Sequence, residues 1–208
     1  MSFTGFPEAA LDFYEGLEAD NSKAYWTDHK TIYDESVAGP MKDLLAELST
    51  YGEGKLFRPY RDVRFSKDKT PYKTQAAAVV RGSDNLLYLA LDADGLFLAG
   101  GLYQSTTTQA RALREAIAAD AAGATLVQVL DGLRAKGWEI GGETLVRVPK
   151  PWDAEHPRAD LLRHKSLTAS IRYTPAPWLH TAKAKDRVRK AWDALAPLNA
   201  WLDQHVTS

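Results

Sequence analysis

Seven basic side chains fall within the stretch Lys55 to Thr74, KLFRPYRDVRFSKDKTPYKT: Lys55, Arg58, Arg61, Arg64, Lys67, Lys69 and Lys73. Only two acids, Asp62 and Asp68, accompany them, so the stretch carries +5 in a chain whose net charge is -1. Phe57, Tyr60, Phe65 and Tyr72 are interleaved with the bases. That pattern reads as a structured surface that meets an anion rather than a flexible basic tail. An arginine fork grips a carboxylate or phosphate through two parallel hydrogen bonds, and lysines add point charge. The site predicted on these grounds is a pocket for a phosphate- or carboxylate-bearing small molecule or nucleotide. It is formed by Arg58, Arg61, Asp62, Arg64, Lys67, Lys69, Tyr72 and Lys73. Cationic stabilisation of developing phosphate or carboxylate charge is the catalytic role such a pocket can play.

The same residues admit two other readings. One is a module for RNA or another polyanion, with Tyr60 and Phe65 stacking on bases. The other is a salt-bridged turn held by Asp62 and Asp68. A second polar cluster, His156, Arg163, His164 and Lys165, follows Asp153 and Glu155. Arg163 and Lys165 are placed with the ligand-binding group, and His156 is the first acid–base candidate. The alternative is a cap and surface charge on a short helix.

Other chemistries are excluded or lack a signal. There is no cysteine, hence no disulfide, thiolate nucleophile or thiolate metal ligand. The five histidines are scattered, without an H-E-x-x-H. Neither a G-x-G-x-x-G nor a G-x-x-x-x-G-K-[ST] loop occurs. No metal and no cofactor are expected, and whether the protein is an enzyme stays open. The start, MSFTGFPEAALDFYEGL, lacks the basic lead of a signal peptide, and no run approaches the roughly 20 apolar residues of a membrane span. A soluble, cytoplasmic protein is expected, with a phosphorylated or carboxylated small molecule or a nucleic acid as partner.

The elements that must position these groups follow from periodicity. Ala10, Leu11, Phe13, Tyr14 and Leu17 make the apolar face of a first helix behind Pro7. Asp20 and Asn21 are capping candidates for a second, with Tyr25, Trp26, His29, Ile32 and Tyr33 as its buried face; Gly39-Pro40 breaks it before a third. Residues 56–65 alternate like a strand, which would set Arg58, Asp62 and Arg64 on one face and Arg61 on the other. Residues 75–81, 86–91 and 96–103 read as strands, with a hairpin at Asp92-Ala93-Asp94-Gly95. Gly100-Gly101 marks a bulge or close backbone approach. Helices follow, with Thr107 or Thr108 as a cap, then a short strand over 143–148. Arg158 to His164 reads as a short helix and 167–173 as a strand. The last helix carries Val188, Ala191, Trp192, Leu195, Leu198 and Leu202, with a kink or restart at Pro197. The fold class is α+β: a central antiparallel sheet flanked by N-terminal and C-terminal helices. One compact domain over residues 1–208 is expected, with opening helices at 6–50, a sheet core at 55–103 and later helices at 107–205.

The run FRPYRDVRFSKDKTPYKT, with LAGGLY and HPRADLLRHKSL later and GFPEAALDFYEGLEADNSKAYWTDHKTIYD at the start, resembles the domain of unknown function 2461 family of bacteria and some fungi. The resemblance covers roughly Phe6 to Trp201. It implies one compact domain of that family and no activity, since none is established for it. Where the family shows two asparagines before the second helix, this chain has Asp20-Asn21.

Overall fold

The computed structural model describes residues 2–64, 66–81 and 86–206. The chain opens with helices α1 (Glu8–Ala19), α2 (Lys23–Ile32) and α3 (Gly39–Glu47). Strands β1 (Glu53–Leu56), β2 (Ala76–Arg81), β3 (Leu86–Asp92) and β4 (Gly95–Leu102) follow. Then come α4 (Thr107–Ala118), α5 (Asp120–Arg134), β5 (Glu139–Gly141), α6 (Ala159–Leu162), β6 (Leu167–Tyr173) and α7 (Lys183–His205). The six strands form one antiparallel sheet in the order β1-β2-β3-β4-β6-β5, so the fold is α+β. The sheet is completed by two strands that come after α4 and α5, beyond the stretch expected to hold it.

Most apolar faces stand where periodicity puts them. Ala10, Leu11, Phe13, Tyr14 and Leu17 are buried on α1, and Val188, Ala191, Trp192, Leu195, Leu198 and Leu202 on α7. On α2 only Trp26 is buried, with Tyr33 just beyond it, and Ile32 is exposed.

Several boundaries differ for local reasons. The α2 cap is Ser22, whose Oγ accepts the Tyr25 N–H at 3.1 Å, not Asp20 or Asn21. Gly39-Pro40 does not break the chain. A π-helical turn at Tyr33–Ala38 lets the Gly39 N–H reach the Asp34 carbonyl, and the proline follows this wider turn. Thr106 caps α4 in a capping box with Gln109, one residue before the expected cap. Residues 143–148 form no strand. Thr144 bridges His164 in isolation, while the strand in that region is β5, with Glu139 opposite Ser170 and Gly141 opposite Thr168. Pro197 lies inside an uninterrupted α7. Buried Leu195, Leu198 and Trp201 hold the turns around it, offsetting the lost hydrogen bond.

The chain divides into two compact units. The first comprises Met1–Val80, Tyr88–Leu98 and Arg172–Lys190. Its core includes Phe6, Phe13, Leu17, Met41, Leu44, Leu48, Leu89 and Leu96, all buried. The Asp92 carboxylate accepts there from both terminal guanidinium nitrogens of Arg172, Nη1 and Nη2, at 2.7 and 3.0 Å. The second unit comprises Arg81–Leu87, Ala99–Ile171 and Ala191–Ser208. Its core is built on Leu113, Ile117, Leu126, Leu130, Leu162, Leu167 and Trp192. Gly101 sits there at φ 111° with room for no Cβ: one would stand 2.5 Å from the Leu167 carbonyl oxygen. The glycine pair thus serves close backbone approach within β4.

In the first unit Glu47 accepts from Lys185, the Ser2 hydroxyl and the Phe3 N–H. These bonds, the lysine's foremost, hold its carboxyl at about 2, below the ordinary 4.5. Because the folded value is the lower one, the stabilisation is full above the unfolded pKa. It drains as pH falls from about 4.5 through about 2. Glu47→Gln is expected to flatten this acid limb, read as the urea midpoint against pH. An unchanged limb would remove Glu47 from the account.

Candidate functional site

The basic stretch is built as a narrow hairpin rather than a strand–turn–strand. After β1, the Phe57 N–H reaches the Ala77 carbonyl at 2.8 Å, but Pro59 has no N–H and the ladder shrinks to one bridge, Tyr60 opposite Tyr72. Arg61 N–H to Pro71 O at 2.9 Å and Lys73 N–H to Pro59 O at 2.7 Å flank that pair. This is the non-hydrogen-bonded kind of pairing, which brings side chains close. The two tyrosine rings accordingly lie 5.5 Å apart.

An asparagine and a tryptophan anchor the hairpin. Asn21 donates its side-chain N–H to the Tyr72 carbonyl and accepts the Tyr72 N–H, both at 3.0 Å. The Tyr72 ring stacks on Trp26 at 4.3 Å and 7°. Tyr33 packs on the same indole at 4.8 Å, and its phenol is pushed up to about 12 by burial first and then by Asp34 and Tyr60. Tyr60, also against Trp26, is 48% exposed. Asn21, expected as a helix cap, instead substitutes for a strand partner of Tyr72. Only its place before a capped helix hinted at a polar role.

Within the hairpin both aspartates are engaged. Asp62 accepts from the Arg64 Nε and Nη2 at 2.9 and 2.6 Å. Asp68 pairs with Arg61 and also accepts the Thr70 N–H and hydroxyl at 2.9 and 2.7 Å. These bonds hold both carboxyls below the usual range, Arg64 dominating for Asp62 and the Thr70 N–H for Asp68. The Lys69 ammonium donates to the Val63 carbonyl and that of Lys73 to the Arg58 carbonyl. Lys55, Arg58, Lys67, Lys69 and Lys73 have no carboxylate within ion-pair distance among the described residues. Burial lowers the Lys73 pKa, and Arg58 and Arg61 lower it further. Beyond Leu56 the described residues of the segment lie outside the named strands, so regular alternation of faces does not assign Arg58 and Arg61 to opposite sides. The Lys73 ammonium thus sits on the Arg58 backbone and beside Phe57, whose ring centroid is 5.5 Å from it. Phe65 lies outside the described residues.

The later cluster belongs to the second unit. His156 is half-buried, and its Nδ1 accepts the Arg158 N–H at 3.0 Å, which caps the turn before α6. Asp153 accepts the Glu155 N–H. Arg163 pairs with Asp160, and Lys165 with Glu143. Arg158, absent from the expected site, threads its guanidinium into the end of α4. It donates to the carbonyls of Ile117, Ala118 and Ala119 at 2.6, 3.0 and 3.3 Å. Among the described residues no three His, Asp or Glu side chains gather as a metal-ligand set, and no single helix is long and apolar enough to cross a membrane.

No curated protein and no solved structure matches the chain. Residues 9–201 match the model of the DUF2461 family, described as a conserved hypothetical protein, and the chain, matched over nearly its whole length, belongs to that family of unknown function.

Proposed function

We propose that the hairpin binds a small molecule through a phosphate or carboxylate group, held by Arg58, Arg61 and Lys73. A planar part of the ligand would rest against the exposed Tyr60 ring. One observation carries the reading. The segment's own acids are committed to Arg61 and Arg64, while the half-buried Lys73 ammonium sits on the Arg58 carbonyl at 3.0 Å, neither residue has a carboxylate partner among the described residues, and the charges of Arg58 and Arg61 lower the Lys73 pKa. An anion bridging these cations relieves that repulsion, and charge-assisted bonds to a fork and an ammonium are among the stronger polar contacts. The aspartate pairs orient Arg61 and Arg64 and offset two of the seven positive charges, leaving five, so ordering of the loop and ligand binding are compatible. Lys67 and Lys69, both exposed, add longer-range attraction.

The test is a thermal-shift panel of inorganic phosphate, pyrophosphate, ribose 5-phosphate and adenine nucleotides against chloride at matched ionic strength. Stabilisation by a phosphorylated compound is expected, with affinity falling only as one or two contacts require when salt is raised. No shift from any of them overturns the reading. A steep salt dependence with single-stranded RNA, and none of the small ligands binding, would replace it by the RNA module.

A further inference from the structure

The second unit holds an arginine buried without an acid. Arg114, on the inward face of α4, is 9% exposed. Its Nε donates to the Leu162 carbonyl at 3.0 Å, while its Nη2 is buried with no hydrogen-bond partner among the described residues. Among the described residues no carboxylate lies within ion-pair distance of it. The residue after Leu162 repeats the pattern. Arg163 Nη2 reaches the exposed Asp160 at 2.8 Å, but its Nε is buried and unpartnered. His164 follows, its Nδ1 2.9 Å from the Ser166 carbonyl, so that nitrogen carries the proton and Nε2 is the lone-pair nitrogen of the neutral ring. Burial, then Arg163, Arg114 and Arg134, hold His164 below its ordinary pKa. Of these cations Arg134 is satisfied by Asp131 at 2.8 Å. Burial likewise lowers the Arg114 pKa.

Burying guanidinium N–H groups without acceptors is costly, and buried charges in folded proteins are paired. Two such groups, one on α4 and one just after α6, beside an imidazole kept neutral, lack an acceptor among the described residues. We propose that Arg114 and Arg163 form a second anion site, distinct from the hairpin, that takes a compact oxyanion: a phosphate or a carboxylate group. The orphaned Arg114 Nη2 and Arg163 Nε donate to it, and His164 lies within its field. The rest of the Arg163 side chain is partly open to solvent, 41% exposed.

His164 is the reporter. Its ring signals in the full-length protein are followed by NMR while inorganic phosphate, or in a separate arm acetate, is added at constant ionic strength with chloride as reference. Saturable movement of the His164 signals is expected, with its titration midpoint rising as the anion offsets the three arginines, while His29 and His180 stay still. Response to phosphate alone, or to acetate as well, distinguishes the two sources of the oxyanion. Arg163→Gln should weaken the response several-fold, and Arg114→Met about tenfold or more, the loss of one charge-assisted bond. Arg58→Gln with Lys73→Gln should leave it intact, so this site and the hairpin stand or fall separately. His164 signals that move no more in phosphate or acetate than in chloride overturn the proposal. A wild-type response that survives Arg163→Gln undiminished does the same. Both measurements hold even if Arg114→Met fails to fold.

Discussion

Arg158→Ala is expected to lower stability by about 3–5 kcal/mol, the range for stranding buried groups that a charge had satisfied. The Arg158 side chain is 16% exposed, and its guanidinium bonds three successive carbonyls, Ile117, Ala118 and Ala119, where α4 ends and α5 begins. A helix C-terminus leaves carbonyls such as those of Ile117 and Ala118 without intrahelical partners and carries partial negative charge, while the Ala119 carbonyl also accepts the Gly123 N–H of α5 at 2.8 Å. A cation with a planar fork satisfies both needs. The contact depends on Gly123, since a Cβ there would stand 2.5 Å from the Arg158 Nε and 2.2 Å from the Ile117 oxygen. Asp120, 3.7 Å away but fully exposed, contributes little. At this chain length the loss corresponds to a Tm about 10 °C lower. Arg158→Lys should fall between wild type and alanine, because it keeps the charge and loses the fork. Urea titration of the three proteins checks this, and a loss below about 1 kcal/mol for alanine would contradict the capping role.

The second large effect concerns ligand affinity. The double variant Arg58→Gln with Lys73→Gln is expected to weaken binding of a phosphorylated ligand at the hairpin about 100-fold, two charge-assisted bonds being lost together. Little loss of stability is expected. Arg58 is exposed, and removing either cation relieves repulsion around Lys73. Calorimetric titration with the best ligand of the thermal-shift panel supplies the affinity, and the unfolding midpoint supplies the control. Asp62→Ala is the informative contrast. It removes the Asp62 bonds of an exposed Arg64 and should leave the protein folded, since the anchor of the hairpin is Tyr72 on Trp26 and Asn21. Unfolding of Asp62→Ala would return the segment to a purely structural role. Unchanged affinity in the double variant would move the site away from Arg58 and Lys73.

These expectations also show which signals the sequence carried. The α1 and α7 faces were legible because a helical face repeats every three to four residues and needs no distant partner to be recognised. The charge excess of the hairpin was legible for the same reason, being a local count. The strand reading of residues 56–65 went too far. Alternation of side chains resembled a ladder, but Pro59 lacks the donor that a ladder requires, and beyond Leu56 only the Tyr60–Tyr72 bridge formed among the described residues. The helix break at Gly39-Pro40 was a sound reading of residue types, overturned by a π-helical turn that side-chain pattern does not signal.

What the sequence by itself determined is the α+β order of elements, the faces of α1 and α7 and a stretch with five more bases than acids. Only the tertiary structure decided which cations the two aspartates take, that the Lys73 ammonium bonds the Arg58 carbonyl, and that Asn21 holds Tyr72 from 51 positions away. It likewise decided that Arg158 caps a helix end about forty residues earlier, and that Arg114 is buried with a nitrogen unpartnered. The reason is physical: periodicity and charge are properties of neighbours along the chain. Hydrogen-bond satisfaction is a property of neighbours in space, and the same arginine is an anchor, a cap or a ligand site according to which acceptors the fold brings within about 3 Å.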